Sequence, residues 1–96
     1  MLGLLKNLFS QSDDKALSEA IRNGAFLVDV RTPGEFASGS VAGAVNIPLD
    51  RIASRLNELK NKKTIIVFCR SGNRSSQAKS ILERNGFSNV LDGGTW

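Results

Sequence analysis

Thr64-Ile65-Ile66-Val67-Phe68 is a bounded run of β-branched and aromatic residues, and it leads directly into Cys69-Arg70-Ser71-Gly72-Asn73-Arg74-Ser75. Such a run reads as a buried strand, and the apolar spacing from Asn73 to Asn85 reads as a helix. A second run, Ala25 to Val30, is too continuous for a half-exposed strand and fits a central parallel one. Strands alternating with helices commit the chain to the α/β class, with a mainly parallel central sheet covered by helices on both faces. The loop between Phe68 and the following helix then lies at a strand's carboxyl end, where open α/β sheets bind ligands.

The other elements follow in order. Ser12 before Asp13 and Asp14 opens a helix that Gly24 closes, with Leu17, Ala20 and Ile21 as its apolar face. Thr32-Pro33-Gly34-Glu35 supplies a cap, a first-turn proline and a capping-box glutamate for a short helix. Ala44 to Ile47 is a short strand ended by Pro48. From Leu49 to Lys60 the residues Leu49, Ile52, Ala53, Leu56 and Leu59 predict an amphipathic helix, with Asp50, Arg51, Arg55 and Glu58 outside. Ala78, Ile81 and Leu82 give the helix after the loop its buried face, with Gly86 as its stop. Val90-Leu91 predicts a last short strand before Asp92-Gly93-Gly94.

The loop brings chemistry together. Its N–H groups and the positive end of the helix favour negative charge, and Arg70 and Arg74 place two cations beside the chain's one sulfur nucleophile. These neighbours are expected to lower the Cys69 pKa and hold much of it as thiolate at neutral pH. Gly72 permits a left-handed or very tight backbone. A structural cysteine does not need such neighbours, whereas a reactive one belongs in an electropositive, partly exposed place. The loop is therefore a cradle for an anion bonded to sulfur.

Composition narrows the choices. The 96 residues suit one domain, with 41% hydrophobic and 23% charged residues as in ordinary soluble chains. Thirteen basic against nine acidic residues give a net charge of +4, which suits a small anionic substrate. No basic run or aromatic interleaving points to nucleic acid. A single cysteine allows no intrachain disulfide and no Cys-x-x-Cys motif, and the absence of histidine removes Cys-His and Ser-His-Asp catalysis and most transition-metal sites. No metal and no cofactor is implied. A lone free thiol fits a reducing, cytoplasmic setting. Residues 1–11 form an apolar N-terminal segment, too short to span a bilayer and interrupted by Lys6 and Asn7 where a signal peptide would be continuous. Its stripe of Leu2, Leu5, Leu8 and Phe9 is expected to dock on the domain, with contact to a partner or membrane through residues 1–9 as the other reading.

Along residues 12–96 the chain resembles a single-domain rhodanese, of the sulfurtransferase family. The resemblance rests on Asp29-Val30-Arg31-Thr32-Pro33-Gly34-Glu35-Phe36, on Gly39 with Gly43-Ala44-Val45-Asn46-Ile47-Pro48, on the strand and Cys69 loop, and on Leu91-Asp92-Gly93-Gly94. It implies that Cys69 carries a persulfide, that loop amides from Arg70 through Ser71, Gly72 and Asn73 to Arg74, with Ser75 beside them, cradle it, and that the arginines hold a thiosulfate-like donor. It also implies that Asp29, Arg31 and Glu35 brace the loop. The chain departs from the family at Ser40, where many relatives carry histidine, and beyond the double glycine, where relatives usually run on into a further helix. The N-terminal segment is expected to cover the surface such a helix would cover.

Three functions suit these residues. The first is sulfur transfer from thiosulfate or a persulfide to a thiol, cyanide or protein acceptor. The second is a sulfur carrier or protein-binding module with little turnover. The third is a phosphatase or arsenate reductase, but those enzymes place one more residue between cysteine and arginine than the four between Cys69 and Arg74.

Overall fold

The computed structural model describes residues 14–95. The N-terminal segment, with its expected docking, and the start of the first helix at Ser12 and Asp13 lie outside the described residues. Four strands, β1 (Phe26–Asp29), β2 (Val45–Asn46), β3 (Ile65–Cys69) and β4 (Val90–Thr95), form one sheet in the order β2-β1-β3-β4. Every neighbouring pair is parallel. Helices α1 (Asp14–Arg22), α2 (Pro33–Ala37) and α3 (Asn73–Arg84) alternate with them.

All five residues of β3 are buried, and the two-residue period of a strand divides them between two cores. Ile65, Val67 and Cys69 pack with Val28, Val30, Ile47, Ile52, Leu59, Ala78, Leu82 and Val90 on the α3 side. Ile66 and Phe68 pack with Leu17 of α1 and with Val41 on the other. The continuous apolar run is thus the signature of a strand covered twice, and its parity puts Cys69 on the same face as α3.

Local chemistry ends the helices where the sequence says it should. At Gly24 (φ +86°) and Gly86 (φ +92°) the chain enters the left-handed region that glycine tolerates. Ala25 N–H then returns to the Ala20 carbonyl and Phe87 N–H to that of Leu82, closing α1 and α3 in the same way. Thr32 caps α2 with the full reciprocal box: its hydroxyl accepts from Glu35 N–H while Glu35 accepts from Thr32 N–H.

Two expectations are corrected. The stretch from Leu49 to Lys60 is not one α-helix but two 3-10 pieces, Leu49–Ser54 and Leu56–Glu58. The Ser54 hydroxyl donates to the Arg51 carbonyl, the acceptor that an α-helix would offer to Arg55 N–H, and Arg55 N–H bonds Ile52 instead. Arg55 turns out of helical geometry (φ −123°) and grips Glu58 at 2.7 Å. Ile52 and Leu59 are still buried, but Ala53 faces solvent. The last strand is longer than Val90-Leu91 because it absorbs the glycines through a bulge: Val67 pairs Asp92, and Phe68 then pairs Gly94. No helix among the described residues is long and apolar enough to cross a membrane.

Candidate functional site

The strand order runs outward from β1 to β2 on one side and from β3 to β4 on the other, so the direction of crossover reverses between β1 and β3. A crevice opens at such a point beyond the carboxyl ends of the strands. Cys69 ends β3 there, followed by the loop and the N-terminus of α3. Beside it is a groove of about 440 Å³ between Val30 and Thr32, Pro48 and Leu49, and Arg74 and Ile81.

The loop folds back on the sulfur. Gly72 sits at φ +84°, ψ −11°, and this left-handed turn brings its N–H to 2.9 Å from Cys69 Sγ. A Cβ at Gly72 would lie 3.8 Å from Gly94 Cα and 4.0 Å from Thr95 Cγ2, which is ordinary contact. Backbone conformation, not crowding, therefore calls for glycine. Thr95 pairs with Cys69 across the sheet, so the end of β4 backs the loop.

Burial pushes the Cys69 thiol up, but the N–H and hydroxyl of Ser75 and the N–H groups of Gly72 and Ser71 outweigh it, and the net direction is down. Hydrogen bonds to sulfur favour its charged form. Ser75 is itself buried, and its hydroxyl also lies 3.0 Å from the Gly72 carbonyl, so it ties the loop to the first turn of α3. One expectation fails: Cys69 is fully buried rather than partly exposed. The loop that supplies the N–H groups also covers the sulfur, so stabilisation and exposure compete at this position.

The two arginines are placed differently. Arg70 is exposed and makes no hydrogen bond or ion pair among the described residues. Arg74 reaches across to α2, where Nη1 and Nη2 donate to Glu35 Oε1 at 2.8 Å and Oε2 at 3.1 Å. The Arg74 bond, followed by that from Thr32 N–H, lowers the Glu35 pKa to about 2. Arg74 is raised in turn, chiefly by Glu35 and further by the fields of Cys69 and Asp29.

Of the three residues expected to brace the loop, Glu35 grips Arg74 directly. The Asp29 carboxylate is buried and taken up by Arg31 and Ser40. Arg31 Nε and Nη2 donate to it at 2.9 and 2.7 Å, and Nη2 also donates to the Gly39 carbonyl at 2.6 Å. The Ser40 hydroxyl donates to Asp29 Oδ2 at 2.7 Å. Asp29 and Arg31 therefore tie the segment from Gly39 to Asn46 to the carboxyl end of β1. Asn46, not among the expected site residues, donates its amide at 2.9 Å to the carbonyls of both Asp29 and Arg31. An amide in a short apolar strand is disfavoured there unless it has partners, and that was the available signal. Asn73 starts α3 with its side chain exposed, and its N–H lies 3.3 Å from Ser71 Oγ.

Known proteins are similar to this chain in sequence and fold. The family model of the rhodanese-like domain matches residues 13–95. A sulfurtransferase of Allochromatium vinosum is 33% identical, the match covering 88% of this chain and 81% of that protein. The thiosulfate sulfurtransferase GlpE of Pseudomonas syringae is 39% identical, with 80% and 76% covered. A solved rhodanese with anions from Escherichia coli superposes with a TM-score of 0.68 at 36% identity, covering 74% of this chain and 87% of that one. A thiol enclosed by backbone donors at the crevice of a parallel sheet, in a sequence that matches over nearly its whole length, places this chain in the family of rhodanese-like domains.

Proposed function

We propose that the protein is a sulfurtransferase that moves sulfane sulfur from thiosulfate or a persulfide to a thiophilic acceptor, with Cys69 as the nucleophile. The Cys69 thiolate attacks the outer sulfur of thiosulfate; the new S–S bond forms as the old one breaks, and sulfite leaves with the bonding pair. The resulting persulfide, Cys69–S–S⁻, is attacked at its outer sulfur by cyanide or a thiolate, and the Cys69 thiolate returns. A persulfide donor enters by the same displacement, with a thiolate as leaving group. Electrons and atoms balance without an external oxidant.

The observation that carries this reading is the convergence of N–H groups on Cys69 Sγ, led by Gly72 at 2.9 Å. Donors fixed in advance around a reacting anion stabilise charge without reorganising. Arg70 is the exposed cation that meets an approaching anionic donor, and similarity to a thiosulfate sulfurtransferase and to a rhodanese solved with anions supports a donor of that class. The four residues between Cys69 and Arg74 make a tighter loop than a phosphatase uses, which favours sulfur over phosphate. We place the activity in the reducing cytoplasm, where a lone thiol stays available.

Steady-state kinetics with thiosulfate and cyanide test the reading. Two half-reactions through a covalent intermediate give parallel double-reciprocal lines, the ping-pong pattern. Stoichiometric loading by a persulfide donor without turnover on thiosulfate would instead mark a sulfur carrier.

A further inference from the structure

Glu35 is held from two sides. Its Oε1 accepts from Thr32 N–H at 3.0 Å, from the Thr32 hydroxyl at 3.1 Å and from Arg74 Nη1 at 2.8 Å. The first bond belongs to the capping box of its own helix and the second adds to it, so the carboxylate has partners within its own helix whether or not Arg74 is present. Arg74 has the opposite character: a long side chain, 31% exposed, whose guanidinium is committed to Glu35 alone among the hydrogen-bonding partners described. It springs from the first turn of α3, directly after the loop, and it also lines the open groove beside Thr32. Of the two partners, Arg74 is the one free to move.

We propose that Glu35 acts as a built-in competitor for Arg74, so that an anion entering the crevice must take the guanidinium from this carboxylate and binds more weakly than the loop's positive charge alone would allow. The inference rests on the sulfur-transfer reading only for the identity of the natural anion. Its physical basis is a choice between two acceptors for one planar fork of donors. A pair this exposed gains little from its own Coulomb attraction, because water and salt screen it, so the exchange is cheap. Cheap exchange has a consequence for turnover. A sulfite product held by both arginines would leave slowly, whereas the returning Glu35 partner helps release it. Glu35 is in this sense a positioning residue, acting on the anion through Arg74.

The sequence supplies a clean variant. Glutamine at the third helical position completes a capping box as glutamate does, so Glu35→Gln removes the charge and keeps the cap. The experiment titrates the whole chain with sulfate, an unreactive dianion, at fixed ionic strength, and follows the Arg74 Nε–H signal by NMR alongside melting temperature. Glu35→Gln is expected to bind sulfate roughly two- to fivefold more tightly than the wild type while still melting cooperatively, at a modestly lower temperature. Ser38→Ala, which keeps the charge and the groove lining and loses the hydroxyl bond to the Glu35 carbonyl at the other end of the helix, controls for stability: it melts lower and binds sulfate as the wild type does. Equal or weaker binding by Glu35→Gln, an equal tightening in Ser38→Ala, or no response of Arg74 in any of the proteins overturns the proposal. The sulfur-transfer reading fails on a different result, the absence of a persulfide on Cys69, because sulfate binding requires no sulfur chemistry.

Discussion

Two arginine–carboxylate pairs lie within a few residues of each other in this fold, and they do opposite things. Arg31 and Asp29 form a pair that is 2% and 0% exposed, closed by Ser40 and by the Gly39 carbonyl. Arg74 and Glu35 form one that is 31% and 39% exposed and reaches from the loop to a neighbouring helix. The chemistry of the two contacts is nearly the same, and the solvent around them is not. In the buried pair each charge depends on the other, because neither can turn to water. In the half-exposed pair either partner can be exchanged for water or an anion. The first pair therefore holds the neighbouring segment to the end of β1, and the second can take part in what happens in the crevice.

The largest effect should come from breaking the buried pair. Asp29→Ala leaves the Arg31 guanidinium in the interior without its carboxylate, and a loss of about 3–5 kcal/mol is expected. Total stabilities of such domains are only about 5–15 kcal/mol, so denaturant melts should show either a much reduced midpoint or no folded baseline. A loss below about 1 kcal/mol would mean that the pair is not the clamp described here. A smaller step sharpens the same point. Ser40→Ala removes one hydrogen bond to a buried carboxylate and should cost about 1–3 kcal/mol, read as a lower urea midpoint with an unchanged slope.

The exposed pair should be visible mainly through pH. Glu35 titrates at about 2 in the folded protein against an ordinary 4.5, so its carboxylate is favoured by folding. The contribution is present above the unfolded value and is lost as pH falls from 4.5 towards 2. Melting curves of the wild type and Glu35→Gln should therefore converge over that window, with the other acids titrating alike in both. A constant gap down to pH 2 would show that the pair adds nothing to the fold.

Much of this architecture is legible in the residues because local and global preferences agree. The β3 run has no polar residue to place on a wet face, so it had to be covered twice. The Thr32 to Glu35 box is complete within four residues and needs no tertiary help. Legibility fails where distant contacts decide. The apolar spacing from Leu49 to Leu59 satisfies a helix, yet Ser54 and Arg55 divert its backbone bonds, and two 3-10 turns bury Ile52 and Leu59 equally well. The Glu35 to Arg74 contact joins residues 39 apart, and neither residue type announces that partner. Nor does the loop sequence, with its small polar residues, reveal that it closes over the sulfur it serves.

The central claim is that the enclosed Cys69 thiol carries sulfur, and intact mass tests it most directly. Wild-type protein and Cys69→Ser are incubated with thiosulfate, then separately with a persulfide donor, without reductant. A gain of about one sulfur atom on the wild type alone, removed by cyanide, is the predicted result, since covalent catalysis leaves its intermediate on the nucleophile. An unchanged wild-type mass with both donors, or an equal gain on Cys69→Ser, would contradict it.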